Sequence, residues 1–259
     1  MEKIIAMKKT FFYGLMAIVL FSCSEDFQSA DTMSSGSNET GSSGKGGSMA
    51  RFAISGTTLY TVSHQTLNAF DISVPSKPVF MSQSYVGTDI ETIFPKGNYL
   101  FIGAESGMYI FDVTDRNKPV QMSKYLHVVS CDPVVADGNY AYVTLRSAVS
   151  GRCWRGANEL QILDISNPAN PQKIRSYPMS SPAGLGIDAN LNLFVCDQGL
   201  KHYDATDVMS LQIINHFKGI NPFDVIPIGN RLLLIGSDGF YQYLLDNGTL
   251  TLLSKIPIG

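Results

Sequence analysis

The stretch Leu160-Gln161-Ile162-Leu163-Asp164-Ile165-Ser166-Asn167-Pro168 closes a short alternating strand on an Asp-x-Ser turn and then meets proline. The same ending returns as Asp71-Ile72-Ser73, Asp112-Val113-Thr114 and Asp204-Ala205-Thr206. The interval is about forty residues, lengthened to about fifty across one insertion. A fifth copy, Tyr241-Gln242-Tyr243, carries Leu244 where the others carry the acid. Units of this length that hold only short strands cannot bury an apolar face alone and must stack on their neighbours. The repeat therefore predicts an all-β chain, a five-bladed β-propeller of four-stranded antiparallel blades over residues 49–259.

The third unit shows the pattern in full. Pro133-Val134-Val135-Ala136 is a first apolar strand, Asp137-Gly138-Asn139 a turn, and Tyr140-Ala141-Tyr142-Val143 a second strand with alternating aromatics. Leu160-Gln161-Ile162-Leu163 is the third strand and Lys173-Ile174-Arg175-Ser176-Tyr177 the fourth. Gly56-Thr57, Gly97-Asn98 and Gly229-Asn230 repeat the first turn with residues that accept positive φ, whereas Ala189-Asn190 is a poorer version. Asp71, Asp112, Asp164 and Asp204 are read as turn braces rather than calcium or catalytic ligands. Each stands beside Ser or Thr at a strand end, where a carboxylate accepts backbone N–H groups.

The third strands, Leu160-Gln161-Ile162-Leu163-Asp164 and Met108-Tyr109-Ile110-Phe111-Asp112, resemble the LVIVD repeat, as does Asp132 to Arg146. The resemblance extends over essentially everything after residue 50 and is strongest in the third and fourth units. It implies a β-propeller of the kind found in bacterial surface and secreted proteins, mostly without assigned activity.

The first residues speak to location. Lys8 and Lys9 precede an apolar run from Phe11 to Phe21, short for a membrane span but suited to a signal peptide over residues 1–22. Leu20-Phe21-Ser22-Cys23 resembles a lipobox, which makes Cys23 the expected lipidation site. Residues 23–48 are rich in Ser and Gly and read as a disordered tether. A coil of that length has an end-to-end distance of roughly 25–30 Å. Ser24-Glu25-Asp26 resembles an acidic signal that sends lipoproteins of some Gram-negative anaerobes to the surface. Together these predict a lipid-anchored protein of the outer membrane or cell surface.

The formal net charge is −3, and removal of residues 1–22 makes it more negative. No basic stripe exists to neutralise phosphates, so nucleic acid is excluded as a partner. His64, His127, His202 and His216 are scattered without metal-ligand spacing, and no Gly-x-Ser-x-Gly, phosphate loop or Cys-x-x-Cys occurs. No cofactor and no metal are expected.

Antiparallel order puts the start of a first strand and the end of a second at one edge of each unit. Cys131 and Cys153 share that edge and are expected to form a disulfide; Cys153 with Cys196, and three buried thiols, remain as alternatives. Cys153 lies in the insertion between the second and third strands of the third unit. That insertion holds the sole Trp, Trp154, flanked by Arg146, Arg152 and Arg155. A Trp–Arg cluster suits a protein, peptide or glycan partner, while a local plug is the plainer reading of Trp154. Glu91 and Asp132 open first strands at the same edge, with Asp224 one position further along. They are candidate binding residues, and as converging carboxylates they would also suit a carbohydrate-active hydrolase. The sequence favours a binding or interaction module without catalytic activity.

Overall fold

Short alternating segments joined by tight turns produce five separate antiparallel sheets of four strands, the blades of a five-bladed β-propeller. The computed structural model describes residues 46–127, 133–147 and 157–258. Blade 1 contains β1 (Phe52–Ser55), β2 (Thr58–Val62), β3 (Thr66–Asp71) and β4 (Val79–Tyr85). In blade 2 these become β5 (Ile90–Lys96), β6 (Tyr99–Ala104), β7 (Gly107–Asp112) and β8 (Val120–Leu126). Blade 3 has β9 (Val134–Asp137), β10 (Tyr140–Leu145), β11 (Glu159–Asp164) and β12 (Gln172–Pro178). β13 (Pro182–Ile187), β14 (Asn192–Asp197), β15 (Leu200–Asp204) and β16 (Gln212–Phe217) form blade 4. Blade 5 closes the series with β17 (Pro222–Ile228), β18 (Arg231–Gly236), β19 (Gly239–Asp246) and β20 (Thr249–Pro257). Among the described residues there is no helix.

Turn chemistry fixes the register. Gly56, Gly97, Gly138 and Gly229 adopt φ of 58, 56, 51 and 58° between first and second strands, a conformation that costs residues with a Cβ roughly 1–2 kcal/mol. Blade 4 has no glycine at that turn and places Leu191 at φ 61° instead. Asp188 compensates: its Oδ1 accepts the Asn190 and Asn192 N–H groups at 2.8 and 2.9 Å, and its Oδ2 accepts Asn192 Nδ2 at 2.8 Å.

The recurrent aspartates each accept the N–H two residues on. The distances are 2.7 Å for Asp71 to Ser73, 2.7 Å for Asp112 to Thr114, 2.8 Å for Asp164 to Ser166 and 2.9 Å for Asp204 to Thr206. Hydrogen bonds from the hydroxyl and the N–H of the same Ser or Thr hold the carboxyls below the usual range. Blade 5 dispenses with the acid because its third and fourth strands meet in a two-residue hairpin. There Asn247 and Gly248 take φ of 47 and 76° and Asp246 pairs with Thr249.

A bulge between third and fourth strands recurs in every blade, leaving Met81, Met122, Ile174, Ile214 and Leu253 as the unpaired residues. An extra residue on the outer strand increases local twist, which the outer edge of a blade requires. The unpaired residue is apolar every time, a regularity the repeat carries without announcing it.

Alternation distributes each blade's side chains between two neighbours. Leu100, Ile102, Tyr109 and Phe111 of blade 2 pack with Tyr60 and Leu67 of blade 1, while Phe101, Met108 and Ile110 pack with Val143 and Leu163 of blade 3. Tyr142 and Ile162 then join Leu193 and Val195, and Phe194 and Cys196 join Leu232 and Leu234. Four apolar clusters thus bridge blades 1 to 5 in order. Between blades 5 and 1 lies instead a cleft of about 480 Å³ lined by Phe52, Ala53, Phe223, Ile226 and Ile235, with Gly46, Gly47, Met49 and Ala50 along it.

That leading segment belongs to the fold. Ser48, counted with the tether by its composition, is 0% exposed. Its Oγ donates to Asp224 Oδ1 at 2.8 Å and accepts the Leu185 N–H at 2.8 Å. Flexible-linker composition extends three residues into ordered structure because Gly46, Gly47 and Ser48 are small enough to thread between first strands. A Cβ at Gly47 would collide with the Asp224 carboxylate.

Candidate functional site

The first strands β5, β9, β13 and β17 face the propeller axis. Phe94, Val135, Leu185 and Val225 line a small central cavity of about 140 Å³ there, with Gly46 and Ser48 completing its wall. The closest approach is between β13 and β17, where a Cβ at Gly186 would stand 2.6 Å from both Pro227 Cδ and Val225 O. The axis is therefore apolar at mid-height and partly filled by the leading segment.

Chemistry collects at the end where the first strands begin. Arg51 precedes β1, Glu91 lies in β5, Arg146 follows β10, and all three line one basin of about 310 Å³ with Pro133 and Pro182. Arg51 Nη2 donates to Ile90 O at 3.2 Å, which fixes the guanidinium beside the mouth of blade 2. Buried Thr144 donates through Oγ1 to Ala183 O at 2.6 Å and ties blade 3 to blade 4 under the basin floor. Ile93 N–H donates to Ala50 O at 2.9 Å and does the same for blades 2 and 1. A rigid basin with two guanidinium groups and one carboxylate can hold an anionic group in a fixed orientation.

Of the residues singled out in the sequence, Glu91 and Arg146 are brought together here. Cys23, Cys131, Asp132, Arg152, Cys153, Trp154 and Arg155 lie outside the described residues. The base of the insertion is visible: Ser147 N–H donates to Asn158 Oδ1 at 2.9 Å. Arg51 was not anticipated, although it stands as far before Gly56 as Asp224 stands before Gly229.

Asp224 does not reach the basin. It is 4% exposed and accepts Ser48 Oγ, the Met49 N–H at 3.2 Å and the Val225 N–H at 2.9 Å. Burial pushes its carboxyl above the usual range despite these donors, all of which are neutral. Its role is to hold the leading segment in the axis. Cys196 is a buried free thiol, its pKa pushed well up by burial and by Asp224 nearby. His202 stacks on Phe194 with centroids 4.5 Å apart and donates through Nε2 to Asn192 Oδ1 at 2.9 Å. Among the described residues no group of His, Cys, Asp and Glu is disposed to bind a metal ion.

Solved structures similar to this chain share the fold at low identity. A functionally unknown protein from Desulfotomaculum acetoxidans aligns with TM-score 0.62 at 13% identity, over 78% of this chain and 67% of that one. The periplasmic gluconolactonase of Pseudomonas aeruginosa aligns with TM-score 0.60 at 14% identity, over 79% and 68%. A putative 6-phosphogluconolactonase from Bacteroides uniformis gives TM-score 0.62 at 14% identity, over 80% and 70%. A search of curated proteins returned no match. The LVIVD repeat matches residues 46–85, 91–127 and 155–178, which are blades 1 and 2 and the outer half of blade 3; the third unit is matched in part and the fourth is not. The chain thus carries LVIVD repeats on a five-bladed propeller.

Proposed function

We propose that the protein is a lipoprotein of the outer membrane or cell surface, anchored through Cys23, whose propeller is a ligand-binding or protein-interaction module. The observation that carries this reading is the basin at the axial mouth. Arg51 and Arg146 converge there with Glu91 on a chain whose net charge is −3. Such a site selects an anionic group on a protein, peptide or glycan partner.

A hydrolytic reading needs two carboxylates facing one ligand. Glu91 lines the basin, Asp132 lies outside the described residues, and Asp224 is buried against Ser48 and Met49. The lactonase names belong to proteins 14% identical to this one and support the fold alone.

Two measurements test the proposal. Cys23→Ala should move the protein from the membrane fraction to the soluble fraction, since acyl chains supply the attachment; continued membrane association rejects the anchor. On glycan and peptide arrays the protein should retain acidic probes, and Arg51→Ala or Arg146→Ala should weaken that retention. Retention unaffected by both substitutions, or no retained probe, rejects the basin as the binding site.

A further inference from the structure

Blade 5 contains a second concavity that the axial basin does not use. Pro222, Gly236 and Gly239 form one cross-strand row at the end of the sheet, and Leu234, Tyr241 and Lys255 form a row two residues further in on the same face. Because the outer row has glycine at two successive strands, no side chain of β18 or β19 in that row covers Tyr241, and Lys255 lies over its ring from the outer strand. The result is a hollow of about 360 Å³ walled by Tyr241, Tyr243, Asn221, Ser237 and Asp238. Its size falls within the range of about 300–1,000 Å³ usual for small-molecule sites.

Blade 4 shows what the same position does when filled. Pro182 pairs with Asp197 as Pro222 pairs with Gly236. The Asp197 carboxylate accepts the Ser181 N–H at 2.7 Å and Lys201 Nζ at 2.7 Å, closing the space. Gly236 lacks that side chain, and a Cβ there would meet Tyr241 Cε2 at 3.4 Å, an ordinary contact. The hollow is therefore not forced by backbone crowding.

Its walls have a distinct chemistry. Tyr241 and Tyr243 lie side by side with centroids 6.1 Å apart and planes inclined by 28°. Lys255 Nζ stands 4.9 Å from the Tyr241 centroid and donates to Asp238 Oδ2 at 2.7 Å. Tyr241 Oη donates to the other Asp238 oxygen. Each carboxylate oxygen retains a lone-pair direction, and the ammonium retains donors. Asp238 is 63% exposed at the side chain, so these groups are accessible. An aromatic face bordered by paired donors and acceptors matches a sugar ring, which has an apolar C–H face and an equatorial rim of hydroxyls. The carboxylate in the wall opposes an anionic ligand, and the polar rim opposes a purely apolar one.

We propose that this hollow is a subsite for a neutral saccharide residue, with its ring against Tyr241 and its hydroxyls on Asp238, Asn221 and Ser237. The site is independent of the axial basin. Saturation-transfer NMR and titration with maltotriose, cellotriose, chitotriose and xylotriose, and with trigalacturonate as an acidic counter-probe, test it on the purified protein. At least one neutral trisaccharide binds, and Gly236→Val weakens it by about tenfold or more by filling the space. Tyr241→Phe, which keeps the ring and loses the bond to Asp238, weakens it less than Gly236→Val. Arg51→Ala leaves it unchanged, so loss of the basin and loss of this site are distinguishable. The proposal is overturned if no neutral probe binds, if Gly236→Val binds as the wild type does, or if trigalacturonate alone is captured.

Discussion

Blade 4 secures its incoming linker with a side chain from its own second strand, whereas blade 5 has glycine at the matching position and leaves the space open. Asp197 receives the Ser180 and Ser181 N–H groups and pairs with Lys201, with its side chain fully buried and that of Lys201 16% exposed. Burial alone would raise this carboxyl, but Lys201 and the two N–H groups outweigh it and hold it low. Asp224, across the same blade interface, is buried without a cation and is held high. The two aspartates thus have opposite electrostatic roles, and the difference is whether a lysine stands within reach.

The comparison can be broken first at the core the two blades share. Phe194 packs fully buried against Leu232 and Leu234, so Phe194→Ala should cost about 3–5 kcal/mol in chemical denaturation. A loss below about 1 kcal/mol would mean that the blades are not held by this cluster. Asp197→Ala comes next, at about 1–3 kcal/mol, because it strands buried N–H groups and an ammonium. If that variant melts with the wild type, the linker is secured some other way.

The pH dependence sharpens the contrast. Asp197 has a lowered folded pKa, so its stabilisation is present above the unfolded value and lost as pH falls through the folded one. Asp197→Asn should therefore be most damaging at pH 7 and converge on the wild type in acid. Asp224 has a raised folded pKa, so its favourable contribution is complete below the unfolded value and lost as pH rises through the folded one. Relative to the wild type, Asp224→Asn should gain melting temperature between pH 4 and pH 7. The same sign of change for both variants would refute the opposed roles. The smallest effect is expected for Asp204→Ala, which removes one solvent-exposed turn bond to Thr206. A large loss there would make the turn aspartates more than local braces.

Much of the fold was legible because its determinants are local. Asp164 brackets its own turn two residues away, and Gly138 takes positive φ within a hairpin of adjacent strands. Phe101 and Ile102 reveal by alternation alone that they face different sides. The candidate site was legible only in part: Glu91 and Arg146 stand at recognisable strand ends, but Arg51 is an isolated basic residue in a glycine- and serine-rich lead. Nothing in its neighbourhood predicts that it shares a basin with residues of blades 2 and 3.

The sequence by itself determined the number of repeats, the four strands in each and the turn aspartates. All depend on interactions a few residues apart or on side-chain alternation along one strand. Only the tertiary structure decided that Ser48 leaves the tether to fill the axis, bonded to Asp224 across 176 positions. It also decided that the first and last blades meet across a cleft, and that Gly236 opens a hollow where Asp197 closes one. Those outcomes depend on which surfaces ring closure brings together, and residues from opposite ends of a chain carry no local mark of the neighbour they will meet.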